Sequence, residues 1–184
     1  MKCDIRRFFA SIDQKRLIQI LKCYALDKGT IWLLKRVIES FYTETGKGLP
    51  LGNLTSQLLV NIYMDWFDQY VKHRFKEKYY IRYADDFVIM HTDKSELENI
   101  LVQIRFFLKD NLLLDLHPDK VFIKTLAPGV DFLGWVHFPD YRVLRTVTKR
   151  RMFKNLRNNT KPEIVASYKG MLAWGNAYKI KNMI

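Results

Sequence analysis

The sequence has few of the residues that covalent cross-links or membrane insertion require. Its 184 residues include only two cysteines, Cys3 and Cys23, too few for a disulfide framework or a zinc site. This scarcity indicates a reducing compartment. No apolar run approaches the roughly 18 residues of a membrane helix, and charges occupy the N-terminal stretch where a signal peptide is apolar. We therefore expect a cytoplasmic protein that makes no membrane contact.

Acidic residues are the minority among the charges. Lysine and arginine number 31 against 19 aspartates and glutamates, which gives a net charge of +12. The excess is uneven, since residues 72–82 interleave bases with aromatics and residues 141–162 contain no acid. A solvated basic surface would explain this, but contact with nucleic-acid phosphates explains it better, because bases displace condensed counterions. The bases of the second stretch are Arg142, Arg145, Lys149, Arg150, Arg151, Lys154, Arg157 and Lys161.

Hydrophobic periodicity predicts alternating helices and strands. Three- and four-residue spacing predicts helices over residues 13–26, capped by Asp13, and over residues 31–42, 54–71 and 94–110. Strands are predicted over residues 2–8, 79–83, 87–91 and 121–125, with a hairpin around Pro139-Asp140 and a mostly helical stretch over 146–184. Three glycines and a proline make residues 45–53 a loop. This order predicts the α+β class, an antiparallel sheet backed by helices on one face.

The predicted stripe of the 54–71 helix is wide and apolar. Its members are Leu54, Leu58, Leu59, Ile62, Tyr63, Trp66, Phe67, Tyr70 and Val71.

Two adjacent aspartates interrupt an otherwise apolar stretch, "YIRYADDFVIM". Aspartate is common in turns, so Asp85 and Asp86 could simply end a hairpin. If the first strand lies beside that hairpin, however, Asp4 joins them at one edge of the sheet. Three carboxylates repel one another unless cations lie between them, and such ligands suit Mg²⁺. Two ions about 3.5–4 Å apart would activate an attacking hydroxyl and hold a leaving phosphate.

Five segments, in order, resemble the motifs of a reverse transcriptase palm. They read "DIRRFFASID", "GLPLGNLTSQ", "YADD", "LHPDKVFIK" and "FLGW". The resemblance implies an RNA-directed DNA polymerase with a palm over residues 1–125, a primer-grip hairpin over 126–145 and the basic helical start of a thumb over 146–184. The fingers region, which precedes the first motif in this family, is largely absent. We therefore expect a fragment, a split gene or a truncated copy.

The loop that reads "LGNLTSQ" resembles one branch of this family. Group II intron enzymes usually read Q-G-x-x-x-S-P here, whereas Leu51 and Gln57 resemble the reverse transcriptases of diversity-generating retroelements, as does "SYKGMLAWGNAY". That branch copies RNA with errors at template adenines. Two alternatives stay open, namely a group II intron or other bacterial reverse transcriptase, and a nucleic-acid-binding remnant without catalysis.

The resemblance implies a role for individual residues. Asp4 and Asp85 would be catalytic metal ligands, with Asp86 weaker and the Ile5 carbonyl an additional oxygen, around two Mg²⁺ ions or, alternatively, Mn²⁺. The nucleotide-binding residues would be Phe9 as the steric gate against a 2′-hydroxyl, Leu51, Gly52 and Lys120. Template and primer contacts would come from Ser56, Gln57, Tyr83, Phe132, Leu133, Gly134, Trp135, Lys149, Arg150 and Arg151.

Each of these assignments has a structural alternative. Phe9 could be core packing, Leu51 a loop anchor and Lys120 a surface lysine. The implied partners are an RNA template, a DNA or RNA primer, dNTPs and a basic accessory protein or separate fingers segment. The implied source is bacterial or phage-encoded.

Overall fold

A computed structural model describes residues 1–24 and 27–184, which form two compact units, Met1–Ile123 and Lys124–Ile184. No helix in the described part of the chain is long and apolar enough to cross a bilayer. The elements of the first unit are β1 (Lys2–Asp4), α1 (Phe8–Ser11), α2 (Gln14–Cys23), α3 (Lys28–Glu39), α4 (Leu54–Tyr70), β2 (Tyr80–Tyr83), β3 (Asp86–Ile89) and α5 (Lys94–Leu112). A π-helical turn, Val71–Phe75, continues α4.

The first unit is built on a three-stranded antiparallel sheet in the order β1-β3-β2. A two-residue turn joins β2 to β3, and β1 pairs with the far side of β3, so that the central strand is β3. The chain is therefore of the α+β class, as predicted. Its strands form two small sheets, one in each unit, where we expected a single sheet.

Helices α4 and α5 supply much of the core of the first unit. Phe67 of α4 packs edge-on against Phe87 of β3 with ring centroids 5.0 Å apart, and Tyr63 donates a hydrogen bond of 2.6 Å to the Leu112 carbonyl. Each fully buried side chain of this size contributes about 1.5–3 kcal/mol. The buried positions of α5 recur at helical spacing: Leu97, Ile100, Ile104, Leu108 and Leu112.

Aspartate caps begin three of the helices. The side chains of Asp13, Asp27 and Asp93 accept hydrogen bonds from the first-turn amides of α2, α3 and α5. Each cap stabilises its helix by about 1 kcal/mol. The Asp27 cap explains why α3 begins at Lys28 rather than at the predicted residue 31.

Other predicted helix features also differ from the structure. The helix predicted to reach residue 26 ends at Cys23, and Leu26 lies outside the described residues. Within the predicted stripe of α4, Leu54 and Leu58 are exposed, while Val60 and Met64, outside the stripe, are buried. The core thus covers a face of α4 that is rotated from the predicted one.

Several strand predictions differ from the structure. The strand predicted over residues 2–8 ends at Asp4, because Arg7 turns into the left-handed region at φ 46° and α1 starts at Phe8. Residues 121–125 form no strand, and only Phe122 exchanges backbone hydrogen bonds of 2.8 Å with Lys2. The strand predicted over 87–91 starts at Asp86 instead.

The second unit combines a small sheet with three helices. Its elements are β4 (Val130–Phe132), β5 (Trp135–His137), β6 (Arg142–Leu144), α6 (Thr146–Asn158), α7 (Pro162–Leu172) and α8 (Tyr178–Lys181). The hairpin around Pro139-Asp140 is confirmed, whereas the sequence reading missed the tighter turn at Leu133-Gly134. Gly175 lies against the buried Trp135 ring, where a Cβ atom would clash with the indole.

Candidate active site

The three predicted carboxylates meet at one end of the first unit's sheet. In the antiparallel pairing of β1 with β3, Asp4 lies directly opposite Asp86. The amide of the next residue, Ile5, donates a 3.1 Å hydrogen bond to the Asp85 carbonyl. Backbone pairing therefore fixes all three residues relative to one another. Asp4 is buried, and Asp85 and Asp86 are half-buried.

Asp85 lies in the turn and Asp86 in the strand that follows it. Tyr83 and Asp86 form the last strand pair, which leaves Ala84 and Asp85 as the two turn residues. Ala84 has a φ of 53°, in the left-handed region that a residue with a Cβ atom seldom adopts. The turn we predicted at the Asp pair is confirmed, but only one of the two aspartates belongs to it.

Two lysines lie beside the carboxylates. Lys120 Nζ is 3.0 Å from Asp4 Oδ2, and Lys2 Nζ is 3.6 Å from Asp86 Oδ1. That Asp86 oxygen is buried and accepts no hydrogen bond from any described residue. Burial raises the pKa of Asp86, and Lys2 opposes this shift. Burial also raises the pKa of Asp85, with smaller contributions from Asp4 and Asp86. Burial therefore disfavours the charged forms of both carboxylates, and the neighbouring lysines only partly offset this.

These carboxylates suit a divalent cation by their chemistry. Asp86 Oδ1 is buried and accepts no hydrogen bond, and its ion-pair partner Lys2 lies 3.6 Å away, so this oxygen could also serve as a hard ligand to Mg²⁺. Among residues 1–24 and 27–184, no three Asp, Glu, His or Cys side chains form a ready-made metal cluster. The oxygen ligands of these side chains suit the ion. In the described structure, however, they do not converge on one point as a complete set of metal ligands.

The glycine loop, residues 45–53, is tied to the segment that carries Phe9. Leu49 N–H donates to the Phe9 carbonyl at 2.9 Å, and Gly48 N–H donates to the Ile12 carbonyl at 2.8 Å. The buried Gln14 amide donates to the Gly48 carbonyl at 3.0 Å. Phe9 itself is half-buried against the core, with its ring edge-on to Phe8 at 5.5 Å. This packing agrees with the structural alternative for Phe9, and its role as a steric gate stays a prediction.

The tip of the glycine loop is open to solvent. Leu51 is 79% exposed, so its side chain does not anchor the loop. Gly52 has a φ of 87°, and no atom lies within 4 Å of where its Cβ atom would be. At the start of α4, Ser56 is buried and Gln57 is exposed. Leu51, Gly52 and Gln57 are therefore accessible to a ligand, whereas Ser56 is part of the protein interior.

The remaining predicted contact residues divide between the two units. Tyr83, at the end of β2, is 62% exposed. In the second unit, Phe132 and Trp135 are buried on either side of the turn at Leu133-Gly134. The three bases predicted to contact nucleic acid are all exposed on α6: Lys149, Arg150 and Arg151.

Three bases that the sequence reading counted as surface charge have partners within their own unit. Arg145 Nε is 2.9 Å from Asp131 Oδ2, and the Arg142 guanidinium lies 5.4 Å from the Trp135 ring centre. In the first unit, Arg82 points inward to Asp68 of α4, at 2.6 Å. Arg82 is withdrawn from the surface by its pairing, whereas Arg145 stays about half exposed, so the basic surface is smaller mainly by Arg82.

The sequence reading missed three polar residues that support the site. They are Gln14, which binds the Gly48 carbonyl, and the pair formed by Asp68 and Arg82. These partners are far apart in sequence and come together only in the folded chain. One signal was present for Arg82. It alternates with the exposed residues Ile81 and Tyr83 along β2, so strand geometry places it on the inner face.

Comparison with protein families gives one match that covers most of the chain. The model of the family "Reverse transcriptase (RNA-dependent DNA polymerase)" matches residues 1–137. This range includes the three carboxylates, the glycine loop and the first two strands of the second unit's sheet.

Comparison with individual proteins gives distant relatives of greater length. The chain is 26% identical to the putative COX1/OXI3 intron 2 protein of Saccharomyces cerevisiae, over 87% of the chain and 26% of the relative. It is 27% identical to protein YkfC of Escherichia coli, over 80% and 50%, and 24% identical to the group II intron-encoded protein LtrA of Lactococcus lactis, over 82% and 36%. The chain thus spans a quarter to a half of these relatives' lengths.

The raised pKa of the partly buried Asp86 carboxyl generates a stability prediction. In metal-free buffer near neutral pH, we expect Asp86→Asn to raise the free energy of unfolding by about 1 kcal/mol, the gain typical of relaxing a strained functional site. Because the folded-state pKa of Asp86 is raised, its carboxylate destabilises the fold above that pKa and ceases to do so once protonated. The gain should therefore shrink as the pH falls towards the ordinary carboxyl range. Urea unfolding in a chelator at several pH values measures it.

The control for this experiment is Asp140→Asn, which removes an exposed charge from a turn of the second unit. It should leave stability nearly unchanged. Equal or lower stability of Asp86→Asn at neutral pH would contradict the electrostatic account of the cluster.

Proposed function

The chain belongs to the reverse transcriptase family, and on that premise we propose that it is the palm-containing part of an RNA-directed DNA polymerase. The observation that carries the proposal is the register of β1 against β3, which sets Asp4 opposite Asp86 with Asp85 in the adjoining turn. Adjacent carboxylates at a sheet edge are the arrangement that metal-assisted nucleotidyl transfer needs. In this proposal, residues 1–125 are the palm, 126–145 the primer grip and 146–184 the start of the thumb.

Asp4, Asp85 and Asp86 would hold two divalent ions, with Mg²⁺ the expected metal and Mn²⁺ an alternative. The Ile5 carbonyl would add one further oxygen. When bound, such ions lower the pKa of the attacking 3′-hydroxyl and neutralise charge on the leaving phosphate. The chain's own contribution is to fix the carboxylates through backbone pairing before any ligand arrives, since Asp4 is paired through β1 and Asp85 through the Ile5 amide.

Lys120 would contact the triphosphate of the incoming dNTP and neutralise part of its charge. Its ammonium group is 3.0 Å from the buried Asp4 carboxylate, while its own side chain is about half exposed and so reaches solvent. Once Asp4 is occupied by a cation, Lys120 is available to neutralise the leaving pyrophosphate.

Phe9, Leu51 and Gly52 would surround the sugar and base of the dNTP. The Phe9 carbonyl accepts a hydrogen bond from Leu49 of the glycine loop, so the backbone links Phe9 to that loop. An aromatic ring against the 2′-position excludes a ribonucleotide, because the 2′-hydroxyl distinguishes RNA from DNA building blocks. The open space around Gly52 allows a base or backbone to approach closely.

Nucleic acid would lie over the exposed polar and basic residues. Gln57 and Tyr83 are accessible in the first unit, and Lys149, Arg150 and Arg151 are accessible on α6. Such bases gain affinity by displacing counterions from phosphates, so binding of an RNA template with its DNA or RNA primer should weaken as salt rises. The hairpin of Phe132, Leu133, Gly134 and Trp135 would contact the primer end. A basic accessory protein or a separate fingers segment would complete the assembly.

Within the family, we propose error-prone copying of the kind found in diversity-generating retroelements. Its support is Leu51, whose aliphatic side chain is exposed at the loop tip and offers a base no hydrogen bond. A site without such polar contacts discriminates weakly between correct and incorrect partners. The second candidate is a group II intron enzyme, which is favoured by the relatives that were found, two of which are named as intron proteins.

Primer extension tests the polymerase proposal. With a primed RNA template, four dNTPs and Mg²⁺, we expect cDNA from the wild-type chain and a loss of at least roughly a hundredfold in Asp85→Asn, because a metal ligand is removed from the reaction centre. The control is Asp140→Asn, which should extend the primer like the wild type.

Two other outcomes would count against the proposal. Equal extension by wild type and Asp85→Asn would mean that the carboxylate cluster is not the active site. Absence of extension from both proteins, together with salt-sensitive RNA binding that does not depend on Asp85, would favour a non-catalytic RNA-binding remnant.

Sequencing the cDNA tests the subtype. If Leu51 lowers fidelity, wild-type product should carry substitutions clustered at template adenines, and Leu51→Gln should reduce their frequency by roughly tenfold through restored hydrogen bonding. The conservative control Leu51→Ile should retain the wild-type error spectrum. Errors spread evenly over the four template bases would favour the group II intron candidate, and an unchanged spectrum in Leu51→Gln would remove Leu51 from the explanation.

A further inference from the structure

A polar network on the inner side of the sheet reaches the turn that carries Asp85. Arg82 of β2 donates to both carboxylate oxygens of Asp68 on α4, from Nε at 2.8 Å and from a terminal nitrogen at 2.6 Å. Its other terminal nitrogen donates to the Ala84 carbonyl at 3.1 Å. Tyr80 donates to the same Asp68 carboxylate at 2.5 Å. A single guanidinium thus links the helix to the turn.

The network is poorly accessible to solvent. The Arg82 side chain is 8% exposed and the Asp68 side chain 21% exposed. A bidentate arginine–carboxylate pair has one favoured geometry, and burial protects the pair from screening by salt. The ion pair therefore holds Arg82 in one orientation, with its remaining donor directed at the turn.

The turn requires such support, because its backbone is in an unfavourable conformation. Ala84 has a φ of 53°, and a residue with a Cβ atom persists in that region only when its surroundings hold it there. Two hydrogen bonds act on this turn from opposite sides. Arg82 binds the Ala84 carbonyl, and the Ile5 amide binds the Asp85 carbonyl at 3.1 Å.

We propose that Asp68 and Arg82 are positioning residues, which hold the Ala84-Asp85 turn in its left-handed conformation and so keep the Asp85 carboxylate beside Asp4. Neither side chain touches the reacting groups. They act through the turn backbone, and a lysine at position 82 could keep the ion pair but would lose the planar fork that reaches both Asp68 and Ala84. This inference rests on the proposed function only for the role of Asp85.

Amide hydrogen exchange tests the proposal without requiring polymerase activity. In the ¹⁵N-labelled chain, the Ile5 amide reports whether the turn stays bonded to β1, and the Leu108 amide within α5 reports on global opening. We expect Arg82→Lys to accelerate exchange at Ile5 by roughly ten- to a hundredfold more than at Leu108, the factor that follows from losing a hydrogen bond to a charged group. Adding Ala84→Gly should reverse most of this acceleration, because glycine adopts positive φ without strain.

Two control variants separate positioning from general destabilisation. Ile104→Val trims a fully buried side chain of α5 and should accelerate Ile5 and Leu108 equally. Lys94→Met breaks an exposed ion pair with Glu98 and should change neither amide. If Arg82→Lys does not fold, Asp68→Glu displaces the same pair, and the same two amides are compared.

Equal acceleration at Ile5 and Leu108 in Arg82→Lys would overturn the proposal, since the pair would then be merely structural. An unchanged Ile5 rate would overturn it as well. In primer extension, the positioning role predicts that kcat falls while KM for the dNTP stays unchanged, and an unchanged kcat would contradict it. Failure of the polymerase proposal would give a different result. The wild-type chain would then extend no primer, while Arg82→Lys would still accelerate exchange more at Ile5 than at Leu108.

Discussion

The antiparallel pairing of β1 with β3 is the constraint on which the rest of the site depends. It sets Asp4 opposite Asp86 and lets the Ile5 amide hold the Asp85 carbonyl, so three acidic residues meet through main-chain hydrogen bonds. Burial is the main reason that the pKa values of Asp85 and Asp86 are raised, and neighbouring carboxylates add to the shift, so holding these charges in the fold costs stability. The apolar core beneath the sheet, with Phe67 against Phe87, keeps the strands paired despite that cost.

Charged side chains and backbone strain are thus concentrated at one end of the first unit's sheet. The Asp86 oxygen lacks a hydrogen bond, Ala84 has a positive φ, and lysines lie beside two of the carboxylates. Such features cost stability and persist at functional sites, where a ligand or a cation relieves them. In the same unit, the glycine loop has an open tip at Leu51 and Gly52. All of these residues lie within the range, residues 1–137, that matches the reverse transcriptase family.

Much of this arrangement could be predicted from local sequence patterns. Periodicity predicted α4 and α5, an aspartate cap predicted the start of α2, and the apolar residues around the Asp pair predicted its turn. The partners of Gln14 and Arg82 could not be predicted, because each depends on residues that only tertiary packing brings near. For the same reason residues 121–125, which have the composition of a strand, find only one bridging partner, at Lys2. In this segment, the available tertiary partners rather than local propensity determine whether a strand forms.

The central claim is that backbone pairing assembles a carboxylate cluster suited to a divalent cation. Titration of Mn²⁺ into the metal-free chain, followed by electron paramagnetic resonance, tests this most directly because it requires neither template nor primer. The account predicts binding by the wild type and an affinity lower by at least roughly tenfold in Asp4→Asn, since few charged ligands are present. Asp140→Asn should bind like the wild type. Equal Mn²⁺ affinity in Asp4→Asn and wild type, or no binding by either, would contradict the account.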